Sequence, residues 1–185
     1  RGLLDGGVGQ GSEALNEEQI ADRLADVGAV LGASGDQDRS SVALRTLSAR
    51  QERDAALAVL RLVLQQPQFP DAVFQRERSR AIAGLKDALT QPGALVNRQF
   101  MQTLYAGHPY GQLITTSSLE GLSNKDLIDF YRQFFTKKNA RINLVGDVSR
   151  AEAEAIAESL SAGLPEGEAA PALPAVGKVA GGEFW

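Results

Sequence analysis

Apolar residues recur at helical spacing through most of this chain and alternate at spacing two in only a few short stretches. That rhythm restricts the fold to helices enclosing a small amount of sheet. A first helix opens at Asn16, with Gln19 at the capping-box position and Leu15 and Ile20 placed as a hydrophobic staple. Ile20, Leu24 and Val27 share one face, and Val27-Gly28-Ala29 ends it. A second helix is predicted from about Glu52 to Gln65, with Leu57, Leu60 and Leu64 on a stripe, and QQPQFP (65–70) breaks it. A third runs from Asp71 to Leu89, carrying Phe74, Ala81, Ile82, Leu85 and Leu89 at helical spacing. A fourth follows QPG with Val96, Phe100 and Leu104, and the loop AGHPYGQLITT closes it. A fifth is capped by Ser123 with Asp126 at N3 and presents Leu127, Ile128, Tyr131, Phe134 and Phe135 as a broad apolar face. Ser149 and Glu152 form the capping box of a sixth, reaching Leu160.

Between the first two helices, VLGAS (30–34) and SSVALRTL (40–47) read as strands joined by the polar turn GDQDR, a hairpin. ARINLVGDV (140–148) is predicted as a further strand, with Ile142 and Leu144 on one face. The expected class is α+β, an antiparallel sheet packed against helices. Residues 1–164 are expected to form one domain, and 165–185 a Pro/Ala/Gly-rich linker closing on the strand-like GGEFW. No fixed-period repeat is present.

The opening RGLLDGGVGQGS combines the paired Leu3 and Leu4 of a helix with five glycines around Asp5. Each glycine inside a helix costs about 1 kcal/mol against alanine, so the stretch needs a reason. The rest of the composition narrows the chemistry. With 43% hydrophobic residues in 185, the chain can bury a core, and a net charge of −4 gives it no general attraction for nucleic acid or anionic membranes. No apolar run approaches the roughly 18 residues of a membrane span. Cysteine is absent, which excludes thiolate ligands and a thiol nucleophile, and His108 is the sole histidine.

In order along the chain, VGAVLGASGDQDRSSVALRTL, QQPQFP before the RERSR helix, AGHPYG, and LSNKDLIDFYRQFFTKKNARINLVGDV resemble the insulinase/pitrilysin (M16) peptidase family, which includes mitochondrial processing peptidase. The resemblance spans roughly Leu3 to Leu164. Active members carry an inverted zinc motif, H-x-x-E-H, on a helix shortly before a Gly-Ser or Gly-Thr pair. Two histidines one turn apart bind Zn²⁺, and the intervening glutamate serves the metal-bound water as base. Anchoring on Gly11-Ser12 places that motif at Gly2-Leu3-Leu4-Asp5-Gly6, with Gly2 and Gly6 at the histidine positions and Asp5 at the base. The third ligand position falls near Ala83 or Gly84, in a segment without glutamate.

The resemblance therefore implies the first domain of a zinc-less, N-terminally truncated M16 chain, without cofactor or catalytic residues. It also implies a zinc-bearing partner with H-x-x-E-H, which together with this half encloses extended peptide, and it suggests a periplasmic location. In active relatives the strand matching VLGAS is an edge onto which peptide adds by main-chain hydrogen bonds. Gly32, Ala33 and Ser34 are small enough for close backbone approach; the competing reading is an ordinary hairpin strand with small residues for packing. Glycines 6 to 11 fit either a hinge or anion nest, or a helix relieved of holding metal. Asp5 reads as a polar residue near a helix end, His108 as a structural hydrogen-bonding group, and QRERSR as a solvated helix face. Two alternatives remain for the whole chain: a stand-alone peptide-binding or scaffolding module, and a hydrolase with rearranged chemistry, the latter lacking any G-x-S-x-G elbow.

Overall fold

A computed structural model of the chain describes residues 15–177. The predicted motif positions Gly2, Asp5 and Gly6, and the terminal GGEFW, lie outside the described residues. Two compact units are present: residues 15–77 with 123–170, and residues 78–122 with 171–177.

The first unit begins with helix α1, Glu17–Asp26. Asn16 caps it as expected: its side chain accepts from the Gln19 N–H at 2.9 Å, and its own N–H donates to the Gln19 side chain at 3.0 Å. The staple residues Leu15 and Ile20 are both buried. At the other end Gly28 takes φ 63°, where a side chain would be strained. The Gly28 N–H then reaches the Ala25 carbonyl at 3.0 Å, and the Ala29 N–H the Leu24 carbonyl at 2.8 Å, with Leu24 and Ala29 both buried. This Schellman closure turns the chain straight into strand β1, Val30–Gly35, which pairs antiparallel with β2, Ser40–Arg45. The hairpin is the one expected.

Helix α2, Arg50–Gln65, starts two residues before the predicted Glu52. Its buried residues are Ala56, Val59, Leu60 and Val63, with Leu57 and Leu64 only half-buried. The predicted Leu57/Leu60/Leu64 stripe is thus rotated. The cause is that α2 contacts α1, β2 and the last helix, α7 (Arg150–Ser161), so its covered surface is wider than one stripe and centres on the smaller residues. Ala56, Val59 and Val63 join Leu15, Ile20, Leu24 and Ala29 in the core, against which Leu31, Val42, Leu44 and Phe135 pack.

Helix α6, Asn124–Phe134, and α7 open with the expected capping boxes at Ser123/Asp126 and Ser149/Glu152. The Tyr131 hydroxyl donates to the Leu64 carbonyl at 2.6 Å, tying α6 to the end of α2. The predicted strand at 140–148 is corrected. Among the described residues, 140–148 follow the 3-10 turn Lys137–Asn139 without strand pairing, Ile142 and Leu144 are exposed, and Val145 is fully so. Alternation supplies a face but not a ladder, and among the described residues β1 and β2 pair only with each other.

Beyond the 3-10 turn the chain returns at 165–170. Lys137 and Lys138 donate their N–H groups to the Pro165 and Glu166 carbonyls at 2.9 and 3.3 Å. Asn139 donates to the Glu168 carbonyl at 3.1 Å and accepts from the Ala170 N–H at 2.8 Å.

Helix α3, Asp71–Ala88, contributes its first turns to the first unit and the rest to the second. The second unit adds α4, Pro92–Leu104, and α5, Thr116–Gly121. α4 is helical as predicted and none of its residues is fully buried: Val96 is 69% and Phe100 57% exposed, with Leu104 half-buried. α5 takes only Thr116 from the predicted AGHPYGQLITT loop (106–116) and otherwise fills the unassigned stretch before the Ser123 cap. Its signal was the Thr115/Ser118 capping box, which is formed.

Candidate functional site

The hairpin presents two different faces. Leu31 pairs with Leu44 and Ala33 with Val42, and these turn toward the core. Val30, Gly32 and Ser34 lie on the other face opposite Arg45, Ala43 and Ser41, all exposed. Of the three residues predicted for peptide contact, Gly32 and Ser34 therefore share the outer face while Ala33 packs inward. A Cβ built on Gly32 would meet nothing within 4 Å. Packing among the described residues gives no reason for glycine at this position, and it leaves the backbone open to close approach.

In a two-strand ladder half of each strand's N–H and C=O groups point away from the partner. Among the described residues, β1 offers such an edge over six residues, Val30–Gly35. The turn holds that edge in register. The Asp36 carboxylate accepts from the Asp38 and Arg39 N–H groups at 2.8 and 3.0 Å and from Arg39 Nε at 3.2 Å. The Asp38 amide, followed by the contacts with Arg39, holds the Asp36 carboxyl below the usual aspartate value despite some desolvation. The arrangement can accept an added strand.

The remaining predicted residues lie elsewhere. Ala83 sits on α3, exposed, beside an exposed Gly84 with open space around it, and neither supplies a ligand. His108 is buried at 4% exposure and caps the 3-10 turn Pro109–Gly111. Its Nδ1 accepts from the Tyr110 N–H at 3.1 Å, and its Nε2 lies 3.0 Å from the Pro174 carbonyl. A carbonyl can only accept, so Nε2 carries the proton and the ring is the neutral tautomer. Both nitrogens are committed, which is the structural role predicted for this residue.

A catalytic zinc needs three good protein ligands. Among the described residues no three His, Asp or Glu side chains converge, and the sole imidazole is engaged on both sides. These residues do not fit the metal. The sequence reading also passed over Arg50, Arg53 and Arg61 of α2. Their spacing of three and then eight places them on one helical face, which was the available signal.

Residues 121–184 match the family model described as "Peptidase M16 inactive domain". The crystal structure of a peptidase M16 inactive domain from Pseudomonas fluorescens is similar at 30% identity and a TM-score of 0.89, over 95% of this chain and 43% of that one. A protease from Helicobacter pylori shares the fold at 19% identity and a TM-score of 0.79, over 94% of this chain and 42% of that one. An uncharacterized zinc protease of Rickettsia bellii is 23% identical over 168 residues, 90% of this chain and 40% of that protein. The chain thus spans about two fifths of the length of these relatives.

Proposed function

We propose that this M16-type peptidase domain is a non-catalytic one, which pairs with a zinc-bearing M16 homologue and helps it enclose and orient extended peptide. The observation carrying the proposal is the edge of β1 that no described residue pairs with, together with a Gly32 that packing among the described residues does not explain. Strand addition draws its affinity from main-chain hydrogen bonds, so it survives the loss of metal-binding side chains. In this role the added strand lies beside β1 in the plane of the sheet, with Gly32 and Ser34 on the outer face of that edge and Leu31 holding β1 to the core on the inner face. Residues 165–185 serve as the lead into a further domain of the same protein. Cleavage belongs to the partner, whose H-x-x-E-H supplies the metal and base missing at Gly2, Asp5, Gly6 and Ala83.

The test is peptide hydrolysis by the 185-residue chain with zinc, alone and mixed with an H-x-x-E-H homologue purified from the same source. Turnover is expected only in the mixture, and Gly32→Pro, which introduces a ring at the edge and removes a donor, is expected to lower it. Chelator-sensitive turnover by the pure chain refutes the proposal. So does a mixture no more active than the homologue alone.

A further inference from the structure

Helices α2 and α7 run side by side in the same direction. Arg53 meets Glu152 near their starts, and the Gln65 side chain donates to the Ser159 and Leu160 carbonyls near their ends, at 2.9 and 3.1 Å. Between them lies an open groove of about 300 Å³. Its apolar lining is Leu57 and Ala58 from α2 with Ala155, Ile156 and Leu160 from α7, and no hairpin residue takes part.

The polar lining is unequal. Three arginines, Arg50, Arg53 and Arg61, face two carboxylates, Asp54 and Glu152. Both carboxylates are occupied. Asp54 pairs with Arg53 at 3.3 Å and Arg50 at 3.8 Å, and Glu152 pairs with Arg53 at 3.5 Å while closing the α7 capping box. Among the described residues Arg61 has no ion pair. Its one hydrogen bond is to the Ser159 hydroxyl at 3.4 Å, at the long limit for such a contact. A guanidinium carries five donors suited to a carboxylate, so the groove ends on a cation without its natural partner. At the other end Arg50 is 85% exposed and, among the described residues, held only by the 3.8 Å contact.

We infer that this groove binds a peptide segment with an aliphatic side chain between two acidic ones. Arg50 and Arg61 are eleven residues apart, about 16 Å along a helix rising 1.5 Å per residue. Long flexible side chains shorten or lengthen that span by several ångströms. In an extended peptide, residues one, three and five share a face, and the outer two lie about 13 Å apart. Acidic residues at positions one and five then reach the two arginines, and the central side chain covers Leu57 and Ile156. This inference stands without the reading of β1.

The probe is acetyl-Glu-Ser-Leu-Ser-Glu-amide, titrated into the ¹⁵N-labelled 185-residue chain, with acetyl-Lys-Ser-Leu-Ser-Lys-amide as control. The acidic peptide is expected to shift the amides of 53–61 and 152–160 saturably, and the lysine peptide to leave them in place. Arg61→Glu is expected to weaken binding at least about fivefold, from loss of an attraction and gain of a repulsion. Arg61→Lys, which retains the charge, keeps most of the affinity and guards against a folding artefact. Equal response to both peptides, no response, shifts confined to 30–35, or an Arg61→Glu variant that binds as before would each overturn the inference.

Discussion

Replacing Val63 by alanine tests whether α2 is the element around which the first unit is built. Val63 has 0% exposure and lies among Ala56, Val59, Ile20 and Leu24 in one core cluster. Removing its two methyl groups forfeits about 1.6 kcal/mol of transfer free energy at about 0.8 per buried carbon. Because α2 contacts two helices and a strand, the site has little freedom to collapse, and a cavity contributes about 1 kcal/mol more. The expected loss is about 2.5 kcal/mol, which for a chain of this size lowers the melting temperature by roughly 5–10 °C. Urea unfolding followed by circular dichroism measures it, with the m-value unchanged. Val96→Ala is the paired control. At 69% exposure on α4 it is expected to cost under about 0.5 kcal/mol. A Val63→Ala loss below about 1 kcal/mol, or a Val96→Ala loss as large as that of Val63→Ala, would refute the packing.

Acid stability depends on the caps and the hairpin turn. The Ser123 hydroxyl holds the Asp126 carboxyl below its usual 3.8, the Ser149 N–H holds Glu152 below 4.5, and the Asp38 N–H holds Asp36 below 3.8. Carboxyls depressed in the folded state stabilise it above their unfolded values and lose that contribution as pH falls through the folded ones. Urea midpoints are therefore expected to fall as pH drops below about 4.5, and Ser123→Ala with Ser149→Ala to flatten the fall; an unchanged acid limb contradicts this. Gly167→Ala tests the return segment. Gly167 has φ 65°, and a Cβ there would sit 2.3 Å from the side chain of buried Thr136. The Lys137 and Lys138 amides are expected to exchange with deuterium at least about tenfold faster in the variant, reflecting a lower local opening free energy, and equal rates would show that 165–170 does not depend on that contact.

Local chemistry was legible from residues alone. The Asn16, Ser123 and Ser149 boxes, the break at QQPQFP and the Val27-Gly28-Ala29 closure each depend on groups within a few positions, and each appears where expected. The hairpin was legible because Val42 and Leu44 alternate and Asp36 closes its own turn. The resemblance to M16 peptidases rested on those same motifs in order. Burial depended on what lies across from each face, which no local pattern records. Val96 and Phe100 have the spacing of a core stripe yet face outward, Ala56 and Val63 are fully enclosed although the leucines beside them looked the better candidates, and Ile142 and Leu144 alternate without a strand to pair with. Among the described residues, the unpaired edge at Gly32 and the Arg61 cation without an ion pair are likewise set by neighbours brought from elsewhere in the chain. A residue carries its propensity with it, but its surroundings exist only once the chain has folded.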